Sequence, residues 1–276
     1  MLLLTLIRPM VITMFSGTIG SGKSYHALEE IIEALDKGKY VIANFPLNFA
    51  PNHVAKGWAD RYMYVDDRYF QGVKGIRMLL ELSRRMGWDE DEREGLCHVF
   101  IDEATNFFPK EDNSKPEQKL WKTFFTQSRK LGYDFTLILQ DDNSINKTIG
   151  KCIEYDVKHR KANNIFPFSL LNMFKVTIFF YNVYWKQQRV RLRSDTSMFS
   201  KRIGKLYHSK KMFANLDADL DKIMNEMKDL SDEELPPTEF GNCTPNEEVD
   251  VGWGPNGAGT NVELEESEKV TEDEAS

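Results

Sequence analysis

Eight residues, GTIGSGKS at 17–24, hold the clearest chemistry in the chain. They fit the pattern G-x-x-x-x-G-K-[ST], with Gly17 first and Gly22, Lys23 and Ser24 closing it. Glycines at these points let successive backbone N–H groups turn inward and form a concave nest for an anion. A helix starting near Lys23 would direct the positive end of its dipole at the same place. The backbone from Gly17 through Thr18, Ile19, Gly20, Ser21 and Gly22 to Tyr25 is therefore expected to cradle the phosphates of ATP. Lys23 would reach the β- and γ-phosphates, and the Ser24 hydroxyl would ligate Mg²⁺. A flexible Gly-rich turn could carry some of these letters. It would not be preceded by a β-branched run such as VITMF (11–15) and followed by an amphipathic helical pattern.

A second group of residues suits the same task. CHVFIDEA, 97–104, is an apolar run ending in Asp102 and Glu103. A strand buried on both faces reads as a continuous apolar run, and in such sheets ligands bind beyond the carboxyl ends of the strands. Two adjacent carboxylates there are costly without a nearby cation. Asp102 is expected beside the magnesium, through a coordinated water, and Glu103 is expected to orient or deprotonate the attacking water. FTLILQ, 135–140, is another apolar run closed by one amide, Gln140. That amide could hold the lytic water or sense the γ-phosphate, or simply end a strand. Arg129, in QSRKLGYD, could be a finger reaching a neighbour's nucleotide, a phosphate contact or a solvated side chain.

The elements that must position these groups follow from the hydrophobic pattern. Strands are expected at 11–15, 40–45, 62–65, 97–101, 135–140 and 176–185, with a partner strand at 187–193. Helices are expected over 24–34, 70–86 and 115–131, and a short one at 214–229. Strands alternating with helices predict a three-layer α/β/α fold with a mostly parallel central sheet, of the P-loop NTPase kind. The expected organisation is an N-terminal extension (1–9, with Met10 a candidate start), a core (10–160), a basic β-rich extension packed on it (161–228) and an acidic tail (229–276).

Charge is unevenly spread over the 276 residues. The tail holds 15 acids and one base, and its composition predicts disorder. Residues 129–211 carry 17 Lys or Arg against 6 acids. Within them RVRLR, 189–193, alternates so that its arginines would share one strand face. Such a face over 186–211 could track DNA phosphates, with Tyr184, Trp185 and Tyr207 stacking on bases. A solvated face, anionic lipid or the chain's own tail, folded back as a DNA mimic, are the alternatives. The stretch 165–185 is long enough to cross a membrane. Its Pro167, Asn172, Lys175 and Asn182, with β-branched and aromatic residues in its second half, favour a strand. The N-terminus lacks a basic region and a cleavage site before the glycine loop. Three cysteines without metal-like spacing fit free thiols, and the five histidines form no ligand cluster in sequence.

GTIGSGKS, VIANFPL, HVFIDEATNFFP and SRKLGYDFTLILQ together resemble the N-terminal ATPase domain of the zonular occludens toxin (Zot) type, a family that includes filamentous-phage assembly ATPases. The resemblance spans roughly residues 10–210. Its sharpest marks are Asp102-Glu103-Ala104 with the following aromatics and Pro109, and Gly132-Tyr133-Asp134 leading into a Gln-ended strand; Asn44 fits the asparagine-bearing second strand. It implies a motor-like, oligomeric ATPase related to DNA-pumping enzymes. Such an enzyme would extrude phage or handle mobile DNA from the cytoplasm, or from the inner face of the membrane beside assembly proteins. A small-molecule kinase and a non-catalytic nucleotide-gated adaptor at the membrane surface are the rival functions.

Overall fold

A computed structural model describes residues 12–90, 94–112, 115–162, 176–207 and 240–241. The expected extension at 1–9, the helix at 214–229 and nearly all of the acidic tail lie outside these residues.

Among the described residues, eight strands form one sheet: β1 (Ile12–Ser16), β2 (Tyr40–Ala43), β3 (Tyr62–Tyr64), β4 (Cys97–Ile101), β5 (Tyr133–Ile138), β6 (Tyr155–Lys161), β7 (Ile178–Trp185) and β8 (Val190–Met198). Their order is β3-β2-β4-β5-β1-β6-β7-β8. The strands β1 to β6 are mutually parallel, and β7 and β8 add antiparallel at one edge. The helices are α1 (Lys23–Asp36), α2 (Pro51–Ala55), α3 (Asp67–Phe70), α4 (Gly72–Arg85), α5 (Pro116–Gln127), α6 (Lys147–Gly150) and α7 (Lys201–Gly204).

The apolar runs are continuous because both faces of the sheet are covered. Met14, Ile42, Val99, Ile101, Phe135 and Leu137 point to one core with residues of α4 and α5. Their strand neighbours Phe15, Val41, Ala43, Phe100 and Ile138 point to the other, against α1. On α1, Leu28, Ile31 and Leu35 are buried at helical spacing, each adding roughly 1.5–3 kcal/mol of apolar burial. The result is the α/β/α layering expected from the pattern.

Helix and strand boundaries depart from expectation where local context wins. The helical pattern expected to reach residue 131 ends at Gln127, gives way to a tighter 3₁₀ turn over Ser128–Leu131, and closes on Gly132 at φ +79°. The second half of the membrane-length stretch is β7, and no helix among the described residues is long and apolar enough to cross a membrane.

β6, YDVKHRK, has no apolar run to announce it. It holds its place through polar pairing: Ser16 Oγ donates to Asp156 Oδ1 (2.8 Å), and His159 Nδ1 donates to Ser16 O (3.2 Å). The hairpin that follows continues this same sheet. Its turn covers 186–189, so Arg189 belongs to the turn, at φ +54°, and the last strand begins at Val190. A β-bulge lies between Val183 and Tyr184, with Arg193 opposite the first and Arg191 opposite the second. Adjacent residues of β7 face opposite ways, so the bulge sends Arg191 and Arg193 to different sides. The expectation that RVRLR presents its arginines on one face is corrected by that extra residue.

From the tail, Phe240 and Gly241 are described. The Phe240 ring lies 4.7 Å from Tyr40 and 6.3 Å from Trp88, and the Gly241 N–H donates to Tyr62 O (3.0 Å). This anchor is on β3, the sheet edge opposite β8.

Candidate functional site

In a parallel sheet every strand ends on the same side, so residues that follow different strands converge there. The glycine loop follows β1, Asp102 and Glu103 follow β4, and Gln140 follows β5. Because β5 lies between β4 and β1, Gln140 emerges between the paired acids and the loop.

The loop is held from outside by residues that local sequence reasoning did not single out. Gly22 caps α1 at φ +97°, and a Cβ there would stand 2.5 Å from Phe179 Cδ1 of β7. At Gly17 a Cβ would stand 2.7 Å from His159 O of β6. Glycine is needed at both points for conformation and space together, since Gly17 also has a positive φ, +147°. His159 is buried; its Nδ1 spends its proton on Ser16 O, so its Nε2 accepts from His26 Nδ1 (2.9 Å). Burial pushes the His159 pKa down to about 4, which keeps the ring neutral beneath the loop. The polar character of β6 hid this floor from pattern reading.

Thr18, Ile19 and Gly20 form the exposed crest of the loop. Ser21 is buried, and its Oγ finds no partner among the described residues. Lys23 Nζ donates back to Gly17 O (2.7 Å) and Thr18 O (3.1 Å). An orphaned hydroxyl, a lysine resting on its own loop and a helix N-terminus fit a polyanion with phosphate geometry. Ser24 is half-buried in the first turn of α1, and Tyr25 is turned away from the loop, with its hydroxyl on Met198 O (3.2 Å). Tyr25 therefore supports the helix through its ring and hydroxyl and leaves the loop's own groups to meet a ligand.

Asp102 is held at both ends of its peptide by one side chain. Its N–H donates to Asn44 Oδ1 (2.6 Å), and Asn44 Nδ2 donates to Asp102 O (3.0 Å) and to Asp67 Oδ1 (2.7 Å). Asn44 follows β2, so this clamp ties two neighbouring strand ends together. The Asp102 carboxylate accepts from the Glu103 N–H at Oδ1 (3.0 Å) and from Tyr207 Oη at Oδ2 (3.5 Å). Burial raises its pKa to about 6; the neighbouring Glu103 adds to that, while its own N–H bond, Lys23 and Tyr207 oppose it. Burial lowers Lys23 in turn, and Asp102 and Glu103 pull it back up. Lys23 and the two acids thus share one electrostatic site. A carboxylate whose charge burial opposes, in the electrostatic reach of Lys23 at the start of α1, has the chemistry to bind a hydrated divalent cation, and Ser24 is the next residue of that helix.

Glu103 is exposed and adopts φ +48°, ψ +47°, a left-handed conformation rare for a side-chain-bearing residue. Gln140 Nε2 donates to Glu103 Oε1 (3.0 Å). Asp102, Glu103, Gln140 and Lys23 are therefore brought to one end of the sheet. Arg129 is not. It precedes β5, at the other end of the sheet, and pairs with Glu154 (3.3 Å), whose N–H donates to Ile12 O at the start of β1. A phosphate contact within its own chain is excluded by that placement.

On the hairpin, β8 is exposed along most of its length, including Arg191, Arg193 and the apolar Val190 and Leu192. Tyr207 does not join a base-stacking surface. Its ring is half-buried, edge-on to Phe45 at 5.1 Å, with the hydroxyl turned to Asp102. Lys186 is also drawn inward, against Met14 Sδ (3.8 Å), and burial lowers its pKa.

Paired acids one strand removed from a glycine loop, in a parallel sheet flanked by helices, define the fold as that of a P-loop NTPase. More narrowly, the chain belongs to the zonular occludens toxin (Zot) family, whose profile matches residues 11–212. No curated protein sequence matches it. Among solved structures, it is similar to the genome-packaging NTPase B204 of Sulfolobus turreted icosahedral virus 2 bound to ATP-gammaS, at 14% identity and a TM-score of 0.44, covering 70% of this chain and 98% of that one. It is also similar to the N-terminal domain of zonular occludens toxin from Neisseria meningitidis, at 13% identity and a TM-score of 0.41, covering 72% and 100%.

Proposed function

We propose that this protein is a Zot-type ATPase that couples ATP hydrolysis to the movement of DNA, in phage assembly or extrusion or in the handling of mobile DNA. The observation that carries the reading is the convergence of Lys23, Asp102, Glu103 and Gln140 on one sheet end. Backbone amides of residues 17–24 bind the triphosphate, and Lys23 leaves Gly17 O to meet it. Ser24 and Asp102 hold Mg²⁺, which when bound neutralises charge on the phosphates. Glu103 takes the proton of the attacking water, and Gln140 releases or recaptures Glu103 with nucleotide state. The exposed arginines of β8 contribute nonspecific phosphate contacts, and family membership supports a role with DNA. The protein works as a homo-oligomer in which Arg129, far from its own loop, can approach a neighbour's nucleotide.

The test is a pair of variants assayed for ATP binding and turnover, with and without single-stranded DNA. Lys23→Ala is expected to abolish binding. Glu103→Gln is expected to bind ATP and to turn over at least about 100-fold more slowly, the usual range for a lost general base. Parental turnover by Glu103→Gln would remove Glu103 from its role. Wild-type binding without any turnover would favour the adaptor reading.

A further inference from the structure

The segment that leaves the basic hairpin brings Tyr207 to the Asp102 carboxylate. From β8 the chain passes through α7 and arrives at Tyr207. Its path is attached to the helix that starts in the glycine loop. Tyr25 Oη accepts from the Ser200 N–H (2.9 Å) and donates to Met198 O (3.2 Å). One turn further along α1, Glu29 accepts from Ser197 Oγ and from Tyr181 Oη (3.2 Å). The Asn48 N–H then donates to Leu206 O (2.9 Å), and Leu206 is buried. Tyr207 is thereby placed against Phe45, the residue after the Asn44 clamp, with its hydroxyl 3.5 Å from Asp102 Oδ2. The phenol O–H is the donor of this pair and the carboxylate oxygen the acceptor.

We propose that Tyr207 is a positioning residue for Asp102, supplied by the segment that follows the basic hairpin. The inference rests on the nucleotide reading of the same site. One Asp102 oxygen is fixed by the Glu103 N–H, but a single bond leaves the carboxylate free to turn about its last torsion. A second donor at the other oxygen sets its plane. A carboxylate has about four lone-pair sites, so each oxygen keeps one for a metal-bound water. At 3.5 Å the Tyr207 bond is long, as hydrogen bonds of ligand-free sites often are, tightening when the ligand arrives. The ring's packing against Phe45 keeps the hydroxyl within reach.

The variant Tyr207→Phe keeps the ring and removes the hydroxyl. Affinity for a non-hydrolysable ATP analogue is measured with and without Mg²⁺, in the full chain. The expected result is that the gain in affinity conferred by Mg²⁺ falls about 3- to 10-fold, the range for losing one long hydrogen bond of ordinary net strength, while Mg²⁺-free affinity stays within about twofold of wild type. In an Asp102→Asn background the same change has no further effect. An unaltered Mg²⁺ increment, or an equal loss with and without Mg²⁺, overturns the assignment, the second outcome showing that the hydroxyl only stabilises the segment. Wild-type protein that binds no analogue at all overturns the nucleotide reading instead.

Discussion

Alanine at Gly22 and at Gly20 separates two costs that the loop combines. Both glycines have left-handed φ, +97° and +73°, so alanine is strained at either, by roughly 1–2 kcal/mol. Only Gly22 is also crowded. Its Cβ would lie 2.5 Å from Phe179 Cδ1 and 2.7 Å from Cγ, whereas at Gly20 nothing lies within 4 Å. Phe179 has little room to retreat: it is 6% exposed, and its ring packs on Tyr25 at 5.5 Å. Overpacking a fixed core typically costs about 1–3 kcal/mol. Gly22→Ala should therefore destabilise the nucleotide-free protein more than Gly20→Ala by about that amount. With about 2–4 °C per kcal/mol for a chain of this size, the difference in melting temperature is roughly 2–12 °C. Thermal unfolding without nucleotide reads it directly. In a Phe179→Leu background, where the ring is gone, the gap between the two alanine variants should close. Equal shifts for both in the wild-type background would refute the claim that β7 pins the loop.

Asp102→Asn should stabilise the nucleotide-free protein at pH 8 and abolish the Mg²⁺ increment in ATP affinity. The folded carboxyl titrates at about 6, above its ordinary 3.8, so its ionisation opposes folding, with full effect above pH 6 and none below about pH 4. The gain at pH 8 is about 1–3 kcal/mol. A loss at pH 8 would mean that attraction to Lys23 outweighs burial. Phe240→Ala should lower stability by about 1–2 kcal/mol, the order for half-burying an aromatic ring between two others, and should speed limited proteolysis of the acidic tail. Unchanged proteolysis would show that this ring does not tether the tail.

Much of the architecture is readable from local pattern. ITMF (12–15), CHVFI and FTLIL pack on both faces of the sheet, and such strands have no polar alternation to conceal them. The glycine loop is readable because its function requires special backbone conformations and a lysine at fixed spacing, which few other demands would produce together. Asp102 and Glu103 are readable because two acids at the end of an apolar run are unfavourable unless something binds there.

What the sequence alone determined is thus the class of site and the strands that carry it. The tertiary structure decided which neighbours complete it. YDVKHRK becomes a strand because Ser16 and His26 satisfy its Asp156 and His159 across space, and no local rule contains those partners. Phe179 and Tyr207, 157 and 105 residues along the chain from Gly22 and Asp102 respectively, reach the site because α1 and β7 pack together and α7 turns back. Arg129 was a candidate on type and position alone, and parallel strand direction places it at the far end of the sheet. The bulge at Val183 and Tyr184 turns Arg191 away from Arg193. Alternation along one strand assumes regular pairing, and pairing belongs to two strands at once.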